Sequence, residues 1–199
     1  MITDIFSRNI ILENERALLR PLEENDFEHL LPYSLIEPDI WQYGLVTAAG
    51  AENLRSYINN AVQKRNEKKE YPFIVFDKKA NTYAGSTRFY DIQQAFLTTQ
   101  LGYTWYGKNF QRSGLNRHCK LLLLGFVFEE WELERLEFRA HAGNERSIQA
   151  MKDIGCTVEG IHRNDVPLAN GGRRNSIVLS ILKEEWFGGV KEMLQKKSR

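Results

Sequence analysis

The sequence has few cysteines, few histidines and almost no net charge. It contains two cysteines and four histidines among 199 residues, and its formal net charge is +1. Neither Cys119 nor Cys156 has a CxxC partner, so the pattern indicates no structural zinc site and is typical of a reducing compartment. A near-zero charge gives no overall attraction to nucleic acid or to an anionic membrane. We therefore expect neither a bound metal nor a nucleic-acid partner.

Long apolar runs are absent as well. Residues 1–22 carry scattered charges and no apolar stretch of the signal-peptide type, and no run approaches the length of a membrane span. We therefore expect a cytoplasmic protein without a membrane partner. The length fits one domain over residues 1–199, whose tail, from about residue 188 onward, is expected to be peripheral.

The pattern of apolar residues predicts a mixed α/β domain. Three strands are predicted at 71–77, 83–92 and 96–106, with short hairpin-like breaks between them. Helical spacing predicts amphipathic helices at 50–69 and from Leu115 onward. The predicted order is a strand, two helices, three strands, a loop, a helix, a strand, a helix and two strands. A hairpin-rich sheet flanked by helices is expected.

Local signals mark the ends of several shorter elements. Pro32 is predicted to interrupt the first helix or to begin a second one. Asn144 occupies an N-cap position and Gly155 a C-cap position around a short helix. That helix is predicted at 144–155. Strands are predicted at 135–141, 156–163 and 173–182, with a turn at 169–172 between the last two.

The most informative segment is FQRSGLN, residues 110–116, between a predicted strand and a predicted helix. Free N–H groups and the dipole at a helix N-terminus together form an anion site. A single glycine is also the ordinary residue of a strand-to-helix turn. The segment lacks the GK[ST] ending of a Walker loop and the GxGxxG pattern of a Rossmann fold. On spacing alone, both a plain turn and a phosphate site stay open.

The same segment resembles the acetyl-CoA pyrophosphate loop of the GNAT N-acetyltransferases. That pattern is Gln or Arg, two residues, Gly, one residue, then Gly or Ala. Here the six positions are Gln111, Arg112, Ser113, Gly114, Leu115 and Asn116. Asn116 departs from the pattern, although asparagine tolerates left-handed backbone geometry. The RimJ and RimL branch, the ribosomal-protein acetyltransferases, often has this GxN form followed by a lysine, here Lys120.

Other segments extend the resemblance to nearly the whole chain. LRPLEENDFEHL resembles the opening strand and helix of that branch, and NGGRRNSIVLSILKEEW resembles its closing hairpin. The likeness is most specific over residues 102–186 and least specific over 35–81, where the acceptor-binding helices would lie. It implies a single GNAT-like domain with a mostly antiparallel twisted sheet whose central strands splay. It also implies transfer of an acetyl group from acetyl-CoA to an amine in a ternary complex.

The resemblance assigns the co-substrate to two groups of residues. The backbone amides of residues 111–116 would bind the pyrophosphate, and the side chain of Arg112 would add to them. Thr104, Trp105 and Tyr106 lie where the strand is expected to splay. Their free backbone groups would pair with the pantetheine arm, and one N–H would polarise the thioester carbonyl.

The remaining roles are proton transfers, and the residues leave alternatives open. Asn144 and Ser147 share a helix face and match the family's positions beside pantetheine and the thiol, with Ser147 as general acid. Asn144 also fits a plain helix cap. Glu159 is the first candidate for the general base, and His141, Asp91 and a water molecule are the alternatives.

Three functions are consistent with these residues. The first is an acetyl-CoA-dependent N-acetyltransferase whose acceptor is a protein N-terminus or a small-molecule amine. The second is a non-catalytic acyl-CoA-binding regulatory domain that has lost the base. The third, a nucleotide-binding module, is disfavoured because the loop lacks the phosphate-binding lysine. A homodimer is left open.

Overall fold

The computed structural model describes residues 4–167 and 172–198, and the strands in this part form one sheet. They are β1 (Leu12–Glu13), β2 (Ala17–Pro21), β3 (Tyr71–Asp77), β4 (Thr82–Gln93), β5 (Thr98–Tyr106), β6 (Arg135–His141), β7 (Thr157–Pro167) and β8 (Arg173–Leu182). Their order across the sheet is β1-β2-β3-β4-β5-β6-β8-β7. The turn predicted at 169–172 lies outside the described residues except for Gly172.

The helices cover both faces of this sheet. They are α1 (Phe27–Ile36), α2 (Ala51–Asn66), α3 (Leu115–Gly125), α4 (Glu145–Asp153), α5 (Lys183–Glu185) and α6 (Lys191–Lys197). Trp105 and Tyr106, neighbours on β5, point to opposite faces because side chains alternate along a strand. Trp105 belongs to the apolar cluster of α1 and α2, and Tyr106 to the cluster of α3 and α6. The predicted mixed α/β class is confirmed.

β5 and β6 are the one parallel pair of neighbours in the described sheet. They pair only over Thr98–Gln100 and Arg135–Glu137. β5 then continues to Tyr106 and β6 to His141 without pairing to each other. We call the opening between these unpaired segments the splay. The mostly antiparallel sheet with splayed central strands is therefore confirmed, and both the loop 111–116 and α3 follow directly from the β5 side of the splay.

α1 runs unbroken through Pro32, so the predicted interruption was wrong. Proline removes one backbone donor and favours a break. Packing holds the helix together here, since Leu30 and Ser34 are buried and the Ser34 hydroxyl donates a hydrogen bond to the Ala48 carbonyl at 2.5 Å. A 3₁₀ turn, Pro38–Trp41, follows α1. The helix face that covers β4 and β5 is thus continuous.

The C-terminal segment packs against α3 and does not form the peripheral tail that we expected. Leu194 on α6 is fully buried in the same cluster as Leu123. The Arg117 guanidinium donates a hydrogen bond to the Lys197 carbonyl at 2.7 Å. This packing fixes α3 from the side opposite the sheet. No helix within residues 4–167 and 172–198 is both long and apolar enough to cross a bilayer.

Candidate active site

The backbone of the loop 111–116 turns through two left-handed residues. Arg112 has a φ of 59°, and Gly114, directly before α3, has a φ of 89°. Alternating left-handed residues point successive N–H groups to one side and form a concave anion site. Within the loop, the N–H groups of Gln111 and Leu115 have acceptors, whereas those of Arg112, Ser113, Gly114 and Asn116 have none among the described residues. Free donors at the start of an 11-residue helix are what a phosphate group binds.

Side chains fix this loop to its surroundings. The Gln111 side-chain amide donates to the Tyr106 carbonyl at 2.9 Å and accepts from the Arg146 guanidinium at 2.7 Å. The Ser113 hydroxyl donates to the Phe110 carbonyl at 2.7 Å, and Leu115 is fully buried. Gln111 therefore joins the end of β5 to α4 across the mouth of the splay. Its side chain positions the loop, and the backbone amides stay free.

Two features show that the loop has room for a ligand. A Cβ atom added at Gly114 would meet no other atom within 4 Å, so the space in front of this residue is open. The Asn116 side-chain oxygen is buried and has no hydrogen-bond partner in the described part of the chain. An orphaned buried acceptor is rare unless a ligand or water satisfies it. The residues present therefore fit a phosphate-bearing co-substrate that also carries N–H or O–H donors.

A β-bulge interrupts β5 at the splay. Trp105 pairs with Ser86 and Gly102 pairs with Arg88, so two residues of β5 lie opposite Thr87 alone. Tyr103, at this bulge, has a φ of 50°. A bulge turns backbone groups out of the ladder and bends the strand. The backbone at 103–104 is thereby free to face a ligand in the splay.

The side chains of the predicted pantetheine strand go elsewhere. Trp105 is buried and packs edge-on against Trp41, with ring centroids 4.9 Å apart. Tyr106 is buried on the α3 face, where burial raises the pKa of its phenol. Thr104 is exposed, and its hydroxyl lies 2.7 Å from the Thr87 hydroxyl. Of the three predicted residues, only Thr104 has a side chain available to a ligand, and the other two could contribute backbone groups.

Asn144 and Ser147 stand together at the start of α4, beside the end of β6. The Asn144 side-chain oxygen accepts a hydrogen bond from the Ser147 N–H at 3.1 Å, so Asn144 caps the helix. One lone pair of this oxygen is used, and the side-chain NH₂ group remains for a co-substrate contact. Ser147 is half-buried, and its hydroxyl makes no hydrogen bond with the described residues. Their predicted roles stay predictions.

Glu159 lies at the closed end of the splay, away from the bulge and the loop. Its carboxylate forms a bidentate ion pair with Arg135, the first residue of β6, and accepts from the Ser180 hydroxyl at 2.6 Å. Hydrogen bonds from Arg135 and then Ser180 outweigh desolvation and lower the pKa of Glu159. A general base for an amine needs a raised pKa and a free oxygen. This environment argues against the predicted role of Glu159.

The side chains of the two alternative bases, His141 and Asp91, also accept hydrogen bonds within the protein. His141 ends β6 at the open side of the splay, and its Nδ1 accepts the Gly143 N–H at 2.9 Å. The Nδ1 lone pair of His141 is therefore engaged in a hydrogen bond within the protein. The Asp91 carboxylate accepts hydrogen bonds from the side-chain amides of Gln93 and Gln100 at 2.8 and 2.7 Å. Asp91 sits near the closed end, beside the last β4–β5 pair.

Replacing Glu159 with glutamine is therefore expected to change kcat/KM by less than about tenfold. Loss of a true general base lowers the rate by about 10²- to 10⁴-fold. Steady-state kinetics of Glu159→Gln at several pH values measure the effect. In wild type, the lowered pKa of Glu159 adds stability above about pH 4.3, the usual pKa of glutamate, and this gain is lost as the pH falls. Glu159→Gln lacks the ion pair with Arg135, so it should lack this gain. A loss of 100-fold or more with wild-type stability would restore Glu159 as the base.

The sequence interpretation gave no role to two buried cations beside the bulge. Arg88 on β4 lies 4.2 Å from the Tyr103 ring centroid, and it pairs with Glu70 at 2.7 Å. Lys120 on α3 reaches Thr104 from the other face, with its ammonium 3.4 Å from the hydroxyl. A charged residue on an otherwise apolar strand or helix face was the available signal for both. Their partners are distant in sequence, so only the fold identifies them.

Comparison with known proteins places the chain among acetyltransferases. Residues 16–157 match the family model described as an acetyltransferase (GNAT) domain. The Bacillus subtilis protein named "Putative ribosomal N-acetyltransferase YdaF" is 26% identical over 179 residues, which cover 88% of this chain and 96% of that protein.

Solved structures agree on the fold. A GCN5-related N-acetyltransferase from Brucella melitensis superimposes with a TM-score of 0.88 at 22% identity, over 96% of this chain and 86% of that one. The ribosomal-protein-S5-alanine acetyltransferase from Vibrio fischeri gives a TM-score of 0.71 at 18% identity, over 89% and 98%. At these identities the likeness shows a shared fold.

The matched family model extends from β2 to the start of β7, so it includes the splay, the bulge and the amide-rich loop before α3. Members of this family use acetyl-CoA as co-substrate, and the four free amides of the loop are suited to its pyrophosphate. Because this family model covers well over half of the sequence, this chain is a member of the GNAT acetyltransferase family and an N-acetyltransferase.

Proposed function

We propose that this enzyme transfers the acetyl group of acetyl-CoA to the α-amino group of a polypeptide, within one domain and by direct attack in a ternary complex. The observation that carries the proposal is the adjacency of the loop 111–116 to the bulged, unpaired end of β5. The loop offers amides for the pyrophosphate. The splay offers an unpaired strand edge for the pantetheine arm, and the bulge offers backbone for the thioester.

The backbone at the bulge accounts for activation of the thioester. Tyr103 and Thr104 lie outside the regular β4–β5 ladder, so an N–H group here is free to bind the thioester carbonyl oxygen. As the amine nitrogen attacks, negative charge develops on that oxygen. A fixed N–H donor stabilises this charge, an effect that removal of one donor shows to be worth about 10²- to 10³-fold in rate.

Water is the proposed acceptor for the proton of the attacking amine. The candidate side chains Glu159, His141 and Asp91 are each held by hydrogen bonds within the protein. Thr104, beside the bulge, is exposed, so solvent reaches the reacting position. Proton transfer to a water in the splay needs no dedicated carboxylate. This proposal explains why Glu159→Gln is expected to keep most of the activity.

A polypeptide acceptor is favoured by the surface next to the splay. The end of α1 and the segment before α2 expose large apolar side chains: Leu35, Ile36, Tyr43, Leu45 and Val46. Tyr43 extends this surface to the splay, since the centroid of its ring lies 5.4 Å from the centroid of the His141 ring. Exposed apolar groups in one segment indicate a macromolecular partner more than a small cation. The Bacillus subtilis relative is named a putative ribosomal N-acetyltransferase, which is in line with a polypeptide acceptor.

The decisive experiment measures thiol release from acetyl-CoA with two panels of acceptors. One panel contains peptides with free N-termini, and the other contains polyamines, aminoglycosides and free amino acids. Transfer to peptides, located at the α-amino group by mass spectrometry, supports the proposal. Faster transfer to small amines favours a small-molecule acetyltransferase. Tight acetyl-CoA binding in calorimetry without thiol release in either panel favours the non-catalytic acyl-CoA-binding alternative.

A variant with Leu45→Ser and Val46→Ser is expected to raise KM for a peptide acceptor by about tenfold. Each serine removes exposed apolar area that would be buried in the complex, at about 25 cal/mol per Å². The dissociation constant of acetyl-CoA should stay unchanged, because neither substituted residue belongs to the loop 111–116. Phe96→Ser, which alters an apolar side chain that is 74% exposed in the β4–β5 turn, is the matched control. An equal rise in KM in both variants would contradict the assignment of this surface.

A further inference from the structure

Lys120 occupies the floor of the splay. It is 5% exposed, lies on α3, and extends between the unpaired segments of β5 and β6. Its ammonium is 3.4 Å from the Thr104 hydroxyl on β5 and 5.4 Å from the centroid of the Phe138 ring on β6. The Thr104 contact is long and is the one hydrogen bond of this ammonium within the described residues. Most of its donor capacity is therefore unused.

No acidic side chain neutralises this buried charge within the described ranges. The ionisable groups that face it are the thiols of Cys119, on its own helix, and Cys156, at the turn before β7. The groups from β5 and β6 are Thr104 and Phe138, which are neutral. Burial lowers the pKa of Lys120 to about 8. A lysine that is buried without a carboxylate is costly, and it is an indicator of a functional site when it lies in a cleft.

The position of the ammonium relates it to the reacting atoms. Lys120 follows Gly114 by six residues, or about 9 Å along the helix axis. The co-substrate would run from the loop 111–116 along the free edge of β5, and its reactive end would lie at the bulge. Thr104 is a residue of that bulge, and it is the residue that the Lys120 ammonium contacts. The ammonium and the thioester would therefore be neighbours.

We propose that Lys120 is a catalytic residue, the general acid that protonates the coenzyme A sulfur as the carbon–sulfur bond of the thioester breaks. The proposal rests on the function proposed above. The lone pair of the acceptor nitrogen forms the new carbon–nitrogen bond, and the electron pair of the carbon–sulfur bond goes to sulfur. Sulfur takes a proton from the Lys120 ammonium and leaves as a thiol. The excess proton on the product nitrogen goes to water, and Lys120 regains a proton from solvent.

The surroundings suit both forms of the acid. The ammonium is a proton donor at neutral pH, and burial among Phe138, Cys119 and Cys156 tolerates the neutral amine that remains after transfer. Ser147 was the acid that the family resemblance suggested. A serine hydroxyl is a much weaker acid than an ammonium, so in this arrangement Ser147 is left to bind the coenzyme through hydrogen bonds.

The primary test measures the thiol of bound coenzyme A directly. The ultraviolet absorbance of the thiolate is titrated against pH with coenzyme A bound to wild-type protein, Lys120→Met and Lys120→Arg. Desulfo-coenzyme A, which lacks the sulfur, provides the baseline. A neighbouring cation lowers the pKa of an acid by about one to three units. We expect the pKa of the bound thiol to rise by at least about one unit in Lys120→Met and to stay low in Lys120→Arg.

Kinetics give the second readout. Lys120→Met should lower kcat by about 100-fold or more, the usual size of a general-acid contribution. In wild type, activity should fall as the pH rises above about 8, because the ammonium form is the donor, and this limb should be absent in Lys120→Met. Lys120→Gln serves as a second variant, and circular dichroism confirms that each protein is folded.

Two outcomes overturn the proposal. One is an unchanged thiol pKa with a kcat within about tenfold of wild type in a folded variant. The other is an equal loss of affinity for coenzyme A and desulfo-coenzyme A with no change in thiol pKa, which would make Lys120 a binding residue for the pantetheine arm. The thiol titration needs no acceptor. It therefore tests Lys120 even if the proposed acceptor is wrong, and absence of coenzyme binding by wild type would refute the proposed function instead.

Discussion

Replacing Gly114 with valine is expected to weaken acetyl-CoA binding by at least about 100-fold, or about 2.8 kcal/mol. Gly114 has a φ of 89°, a conformation that a β-branched residue adopts only with strain. Its added side chain would also fill the open space in front of the free amides. Two or more charge-assisted hydrogen bonds would be lost, each worth about 1.5–3 kcal/mol. Isothermal calorimetry with acetyl-CoA measures the change.

The backbone strain and the lost binding can be separated by a matched variant. Gly50 also precedes a helix, has a φ of 85°, and has no atom within 4 Å of an added Cβ. Gly50 has a ψ of 151°, in a region open essentially to glycine alone, whereas Gly114 has a ψ of −20°, so Gly50→Val carries at least as much backbone strain at a site outside the loop 111–116. We expect both valine variants to lose thermal stability, Gly50→Val at least as much as Gly114→Val, and only Gly114→Val to lose affinity for acetyl-CoA. A similar loss of affinity in both would show that strain alone explains the result.

Arg112→Ala distinguishes backbone from side-chain binding. The Arg112 side chain is exposed, so its charge would contribute about 1 kcal/mol or less, about fivefold in affinity. The alanine variant keeps the backbone amide of residue 112, and it still places a non-glycine residue at this left-handed position. Equal and small effects of Gly114→Val and Arg112→Ala would contradict binding of the pyrophosphate by the loop amides.

Local sequence patterns predicted most of the sheet because they depend on neighbours in the chain. The segments 71–77 and 135–141 coincide with β3 and β6. α1 was predicted less well, since the local effect of Pro32 was outweighed by the burial of Leu30 and Ser34 against partners far along the chain. The C-terminal segment failed for the same reason. The burial of Leu194 depends on α3, which no local pattern can reveal.

The residues of the candidate site likewise differ in how far local sequence patterns predict them. The loop 111–116 could be identified because its proposed function lies in consecutive backbone amides, which a short motif specifies. Glu159 could not be judged, since its pairing with Arg135 depends on how β6, β8 and β7 align. Lys120 was visible in the sequence as a lysine on an apolar helix. Its position beside Thr104 could not be predicted, because it depends on the bulge in β5, and no turn residue in the sequence indicates that bulge.

Replacing Glu70 with alanine is expected to reduce the free energy of unfolding by about 3 kcal/mol. Arg88 is 2% exposed, and its guanidinium donates a hydrogen bond to the Glu70 carboxylate at 2.7 Å. Removing one partner of a buried ion pair leaves an uncompensated charge, which costs about 3–5 kcal/mol. We expect the lower value because the Glu70 side chain keeps 16% exposure. Urea unfolding measures the change, with Glu67→Ala, which breaks a more exposed pair with Lys69, as the control.

The same ion pair connects stability to the active site. The Arg88 guanidinium lies between the rings of Tyr57 and Tyr103, with centroids at 4.7 and 4.2 Å, and Tyr103 is the left-handed residue of the bulge. Loss of Glu70 should therefore loosen the bulge, and the variant should lose kcat by a larger factor than its KM for acetyl-CoA rises.

The double variant Glu70→Ala, Arg88→Met removes the charge as well as its partner, and should recover most of the lost stability. Recovery of stability without recovery of kcat would show that the cation, and not merely a filled core, holds Tyr103 in place. If Glu70→Ala and Glu67→Ala cost the same, Arg88 has water as its partner in solution and does not hold the bulge.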